Sequence, residues 1–86
     1  MNTYSVLIRP ITTEKAVRLL EKENVLLLEV YKHATKPLIR RAVEDIFHVT
    51  VTDVRTQISW KGIKRAYVRL SSDTPAMDVI TQLGLM

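Results

Sequence analysis

The chain has 86 residues, of which 47% are hydrophobic and 26% charged, with a formal net charge of +4. That length sets a single small domain, residues 1–86, able to bury about 60 to 65% of its unfolded surface, and the composition is too apolar for a disordered chain. Cysteine is absent, which excludes a disulfide framework and any thiolate metal site, and the longest apolar run, Val25 to Leu28, is far too short to cross a bilayer. With no signal-peptide h-region at the start, a soluble cytoplasmic protein without membrane insertion is expected.

Tyr4-Ser5-Val6-Leu7-Ile8 reads as a short strand that Arg9-Pro10 should end, because proline donates nothing to a sheet ladder. Thr12 or Thr13 then caps a helix with Glu14 in its first turn and a narrow apolar stripe of Ala16, Leu19 and Leu20, ended by Glu23-Asn24. From Val25 to Tyr31 both alternating sets are apolar, Leu26, Leu28 and Val30 against Val25 and Leu27. Such a strand is covered on both sides and belongs in the middle of a sheet.

The best-defined element follows. Ile39, Ala42, Val43, Ile46 and Phe47 recur at helical spacing and form one apolar stripe. Thr35 supplies an N-cap hydroxyl, and Pro37 falls in the first turn, where its missing N–H costs nothing. Arg40 with Glu44 and Arg41 with Asp45 are four apart and pair weakly, at roughly 0.2 to 0.5 kcal/mol per pair.

Beyond the helix Val49 and Val51 alternate, then Val54, Thr56 and Ile58 continue in the other parity, so a bulge is expected near Thr52-Asp53. Trp60-Lys61-Gly62 supplies a turn in which Gly62 can take positive φ, and Ala66, Val68 and Leu70 are the inward set of the returning strand, with Lys64 an exception near the turn. Ser71 to Thr74 form a turn and cap region. Pro75 opens a last segment with Met77, Val79, Ile80 and Leu83 on its apolar side, closed by Gly84; Met77 and Met86 are simplest as core or terminal packing. The order is strand, helix, strand, helix, strand, strand, helix.

Charge is unevenly divided along this order. Residues 1–31 hold four basic and four acidic groups, whereas residues 32–70 hold nine basic against three acidic, a net of +6; only Asp73 and Asp78 follow. Such a segment fits a polyanion bound along one side, centred on the hairpin and the start of the central helix. Lys36, Arg40, Arg41, Arg55, Lys61, Lys64, Arg65, Tyr67 and Arg69 are the candidate contacts. Arg65, Tyr67 and Arg69 share one strand face, where two guanidinium forks and one ring suit phosphates and an unpaired base, and RNA is favoured over ordinary solvated faces.

Chemistry of other kinds is poorly supplied. His33 and His48 are the only histidines, and His48 at a helix end reads as a cap or surface residue, so neither a metal nor any other cofactor is expected. Glu44 and Asp45 are adjacent on a helix and so diverge, which does not suit a carboxylate dyad. Two glycines cannot build a phosphate loop.

Several short stretches together resemble a known family: Arg9-Pro10, Thr13-Glu14-Lys15-Ala16, Ala34-Thr35-Lys36, Ala42-Val43-Glu44, Phe47-His48-Val49 and Lys64 to Leu70. In this order and spacing the chain resembles, from end to end, the large-subunit ribosomal protein L23 family, and the short hairpin turn with the closing Ala76 to Leu85 segment resembles its archaeal branch. The resemblance implies an α+β fold, a four-stranded antiparallel sheet with three helices. It also implies a structural, non-enzymatic role bound to large-subunit rRNA among neighbouring ribosomal proteins, beside the exit of the nascent-peptide tunnel. Only Gln57 to Ile63 stand where the bacterial members extend a long basic loop, so a role inside the tunnel is not expected.

Factors that meet emerging chains, such as the signal recognition particle, are further implied partners. Glu14 of the Thr-Glu-Lys motif is the implied contact, and Arg18, Glu21 and Lys22, charges of both signs on the same charge-balanced helix, extend the expected docking surface. Two readings from other classes stand beside this one, a small acylphosphatase-like α/β enzyme and a free-standing RNA-binding regulator.

Overall fold

Local signals start and stop the helices. Thr13 Oγ1 accepts the Ala16 N–H at 3.3 Å and begins α1 (Glu14–Glu23), and Asn24, at φ 55°, ends it. Thr35 Oγ1 accepts the Leu38 N–H at 3.4 Å and begins α2 (Lys36–Phe47), which His48 closes at φ 56° with its N–H on the Glu44 carbonyl. Around these run β1 (Leu7–Pro10), β2 (Val25–Val30), β3 (Val51–Ile58), β4 (Lys64–Leu70) and the short α3 (Ala76–Gln82). The computed structural model describes residues 6–82. Tyr4, Ser5, the helix end expected at Leu83-Gly84, Met86 and the side chains of Met77 and Ile80 lie outside the described residues.

The fold class is α+β with one four-stranded sheet, every neighbouring pair antiparallel, in the order β1-β2-β4-β3. Among the described residues α1 and α2 are the substantial helices, where three had been expected, and the C-terminal segment spans seven of those residues, about two turns. β4 lies between β2 and β3, so the path β2-α2-β3 crosses over it and lays α2 on one face. There the α2 stripe of Ile39, Ala42, Val43 and Phe47 meets Leu26, Leu28 and Val30 of β2, Ala66, Val68 and Leu70 of β4, and Val51 and Val54 of β3. Each large aliphatic or aromatic side chain buried in that layer contributes about 1.5 to 3 kcal/mol.

At the other edge, β1 reaches only the end of β2 nearest the hairpin, pairing with residues from Leu28 to Val30. Ile11 N–H adds one bond to the Leu27 carbonyl at 2.9 Å, and beyond it α1 takes over as the neighbour of β2. Ile11, Ala16, Val17 and Leu20 close there on both Leu26 and Leu27. A helix at a sheet edge touches both parities, which is why Val25 and Leu27 are buried as well as Leu26 and Leu28.

Three expectations need correction. β1 runs from Leu7 to Pro10 rather than ending at Ile8, because it is an edge strand and proline's missing N–H takes nothing from an outer edge. Ile58 is 60% exposed rather than inward, at the strand end where its cross-strand partner is Lys64 and not an apolar residue. Val49 packs on the core from outside the strand. The bulge does fall where the parity changes, as a register shift between Val51 and Asp53.

Candidate nucleic-acid interface

The sheet face turned away from α2 carries all four strand arginines. Cross-strand register sets them in rows: Arg9, Glu29, Arg65 and Gln57; then Leu27, Tyr67 and Arg55; then Val25, Arg69 and Asp53. Side chains directly opposite in an antiparallel pair share a face, so four guanidiniums from three strands converge here. Alternation along β4 alone places Arg65, Tyr67 and Arg69 together, and the hairpin register adds Arg55.

Three of the four arginines touch a carboxylate. Arg9 Nε lies 3.0 Å from Glu29 Oε1, Arg55 Nε 3.5 Å from Asp53 Oδ2, and Arg69 Nη2 3.8 Å from Glu23 Oε1. All three guanidiniums remain more than half exposed, and such surface pairs are worth roughly 0 to 1 kcal/mol. They orient the arginines and leave most of each fork free for phosphate oxygens. Arg65 differs: its Nε is shielded from solvent and has no hydrogen-bond partner among the described residues. An unsatisfied donor of this kind costs about 1 to 3 kcal/mol.

Tyr67 lies at the centre of the face. Its hydroxyl donates to Gln57 Oε1 at 3.1 Å, which ties the ring from β4 across to β3. A groove of about 380 Å³ runs over it, with Leu19 and Glu23 of α1 on one side and Arg55 and Gln57 of β3 on the other.

The remaining candidates go elsewhere. Lys36, Arg40 and Arg41 are exposed on α2, which covers the opposite face of the sheet. Arg40 Nε stands 3.9 Å from Glu44 Oε1, while among the described residues no ion pair joins Arg41 to Asp45. Lys61 is at the hairpin tip, its Nζ 5.2 Å from the Trp60 ring centroid. Lys64 folds inward: its Nζ donates to the Ala34 carbonyl at 2.6 Å and approaches the Lys32 carbonyl at 3.4 Å, fastening the β2-α2 loop to the hairpin. Arg9, read from the sequence as a strand terminator, joins the face instead. Only the register of β1 against Glu29 reveals that. On the far flank, Glu14, Arg18, Glu21 and Lys22 are all exposed on α1.

Comparison with known proteins gives the family. The family described as Ribosomal protein L23 matches residues 5–77. The chain is 46% identical over 86 residues to the large ribosomal subunit protein uL23 of Caldivirga maquilingensis, covering all of both chains. It is 40% identical over 85 residues to the protein of that name from Methanococcus maripaludis, covering 99% of each. An α+β domain of this size with an arginine-lined open sheet, matched over its whole length by such relatives, belongs to the ribosomal protein L23 family, whose members are structural proteins of the large ribosomal subunit and not enzymes.

Proposed function

We propose that the chain is held in the large subunit of the cytoplasmic ribosome by rRNA lying on the open sheet face. The observation that carries this reading is the convergence of Arg9, Arg55, Arg65 and Arg69 around Tyr67. Guanidinium forks suit phosphates and the groove over Tyr67 suits a base displaced from its helix. Lys36, Arg40 and Arg41, on the other side of the domain, form a second basic surface for a separate rRNA segment, and Lys61 a third contact at the hairpin.

Binding of the purified chain to a large-subunit rRNA fragment, measured between about 50 and 200 mM salt, tests the proposal. Affinity should fall steeply with salt, and Arg65→Glu with Arg69→Glu should flatten the slope by roughly one unit for each phosphate that is no longer neutralised. Salt-insensitive binding, or an unchanged slope in the double variant, would refute it.

A docking role beside the tunnel exit, carried over from the family resemblance, goes with the exposed flank of α1. Glu14 sits in the first helical turn and Arg18 and Glu21 follow on the same helix, charges of both signs that suit a protein partner better than RNA. Co-sedimentation of the signal recognition particle with subunits carrying Glu14→Lys should drop while subunit assembly stays normal. Undiminished co-sedimentation would remove Glu14 from the contact.

A further inference from the structure

Trp60, at the β3-β4 turn, is 91% exposed, unusual for the largest apolar ring, which is mostly buried in folded proteins. The turn holding it is well fixed. Ser59 N–H donates to the Ile63 carbonyl at 2.8 Å, Gly62 N–H to the Ser59 carbonyl at 2.9 Å, and Ile63 N–H to Ser59 Oγ at 3.2 Å. Gly62 takes φ 80°, a value that side-chain-bearing residues rarely adopt. An ordered backbone thus holds the ring out from the fold.

The surroundings indicate what covers it. Lys61 Nζ occupies one side of the ring at 5.2 Å, and the Lys32 ammonium lies against Gly62, 3.1 Å from where a Cβ would stand. Tyr31 and His33 stack at 5.4 Å on the loop that Lys64 fastens to the hairpin, and Ile58 is exposed beside the turn. Neither residues 30–43 nor residues 54–72 contain a carboxylate. Glu29, which lines a pocket together with Ile63 of the turn, is engaged by Arg9 at 3.0 Å. An aromatic surface flanked by lysines matches a ligand that is flat and apolar at its centre and anionic at its rim. A nucleotide is such a ligand.

We propose that Trp60 is a stacking platform for an unpaired rRNA base, with Lys32 and Lys61 on the flanking phosphates. This rests on the RNA-binding reading above, but places a separate, base-stacking contact at the hairpin end, away from the arginine face. Stacking on an aromatic ring is tolerant of base identity, so the contact anchors the chain without selecting a sequence.

Trp60 is the chain's only tryptophan, and its fluorescence therefore reports on this ring alone. The full chain is titrated with single-stranded oligoadenylate and, separately, with a fully paired RNA duplex at equal phosphate. Saturable quenching by the single strand, absent with the duplex, is expected. Trp60→Ala should weaken oligoadenylate binding by roughly 5- to 150-fold, the loss of one base stack, and Trp60→Phe by less. The Trp60→Ala melting temperature should match the parent, since an exposed ring leaves no cavity. Binding without quenching, equal affinity in Trp60→Ala, or shielding of the ring by a neighbouring ribosomal protein but not by RNA would overturn the proposal. Loss of rRNA affinity in Arg65→Glu/Arg69→Glu alone would leave the arginine face standing and this inference refuted; a parent chain that binds no RNA would end both.

Discussion

Asn24 joins three elements through one side chain, and its replacement should be the most damaging polar substitution in the domain. Its Nδ2 donates toward the carbonyls of Leu70, Ser71 and Thr74 at 3.2, 3.0 and 3.3 Å, and its Oδ1 accepts the Ala76 N–H at 2.6 Å. Its backbone stands at φ 55°, and its carbonyl accepts the Leu70 N–H at 3.1 Å. Asn24→Gly removes the side-chain bonds and keeps the left-handed turn, so it isolates the hydrogen bonds. An amide has two protons for these three carbonyls; counting two donated bonds and one accepted, at about 1 kcal/mol each, gives a loss of about 3 kcal/mol. Asn24→Ala should lose about 1 kcal/mol more, because a non-glycine residue other than Asn or Asp is strained in the left-handed region. A domain of this length has about 4 to 13 kcal/mol in total, so either change is large. Urea unfolding followed by far-UV circular dichroism checks both, with midpoints falling in the order parent, Gly, Ala at constant m. A Gly variant within about 0.5 kcal/mol of the parent would refute the bond count, since surface changes alone reach that size. An Ala variant no worse than Gly would refute the strain argument.

Two further outcomes follow from the core and the hairpin. Phe47 is 9% exposed at the end of the α2 stripe, so Phe47→Ala should lower stability by about 3 to 5 kcal/mol through the cavity it leaves, read as a lower denaturation midpoint or as failure to fold; an unchanged midpoint would mean that the ring does not fill the space between α2 and the sheet. Lys64→Met should destabilise by about 1.5 to 3 kcal/mol, since it leaves the Ala34 carbonyl without its charged donor, while the salt slope of rRNA binding stays as in the parent; a flattened slope would make Lys64 a phosphate contact and not a latch.

The start and stop of α1 and α2 were legible because their signals are local. A hydroxyl three residues before the amide it caps, a proline in the first turn and a stripe at helical spacing act within one or two turns, whatever the rest of the chain does. The bulge near Asp53 was legible for the same reason: a strand whose apolar parity changes must insert a residue to keep one face inward. Gly62 at positive φ belongs to this group too. Ile58 was misread because alternation gives its parity and says nothing about how far the covering layer extends.

The candidate interface was legible only in part. That residues 32–70 are basic and that Arg65, Tyr67 and Arg69 share a face can be read from composition and a period of two. What composition reads as one basic cluster is divided by the crossover of α2, which carries Lys36, Arg40 and Arg41 to the far side of the sheet. β4 inserts between β2 and β3, and β1 pairs at the edge; these choices bring Arg9 beside Glu29, Arg55 beside Tyr67, and the Lys64 ammonium onto the Ala34 carbonyl. Asn24 shows the same division in one residue. Its role as a left-handed helix end is local chemistry, but its amide reaches Thr74 and Ala76 only after the sheet has brought them close. The central elements, the helix caps and the sign of the charge follow from near neighbours along the chain. Strand order and register decided which charges meet, because pairing between distant segments is settled by the burial of the whole apolar face and not by any one residue's preference.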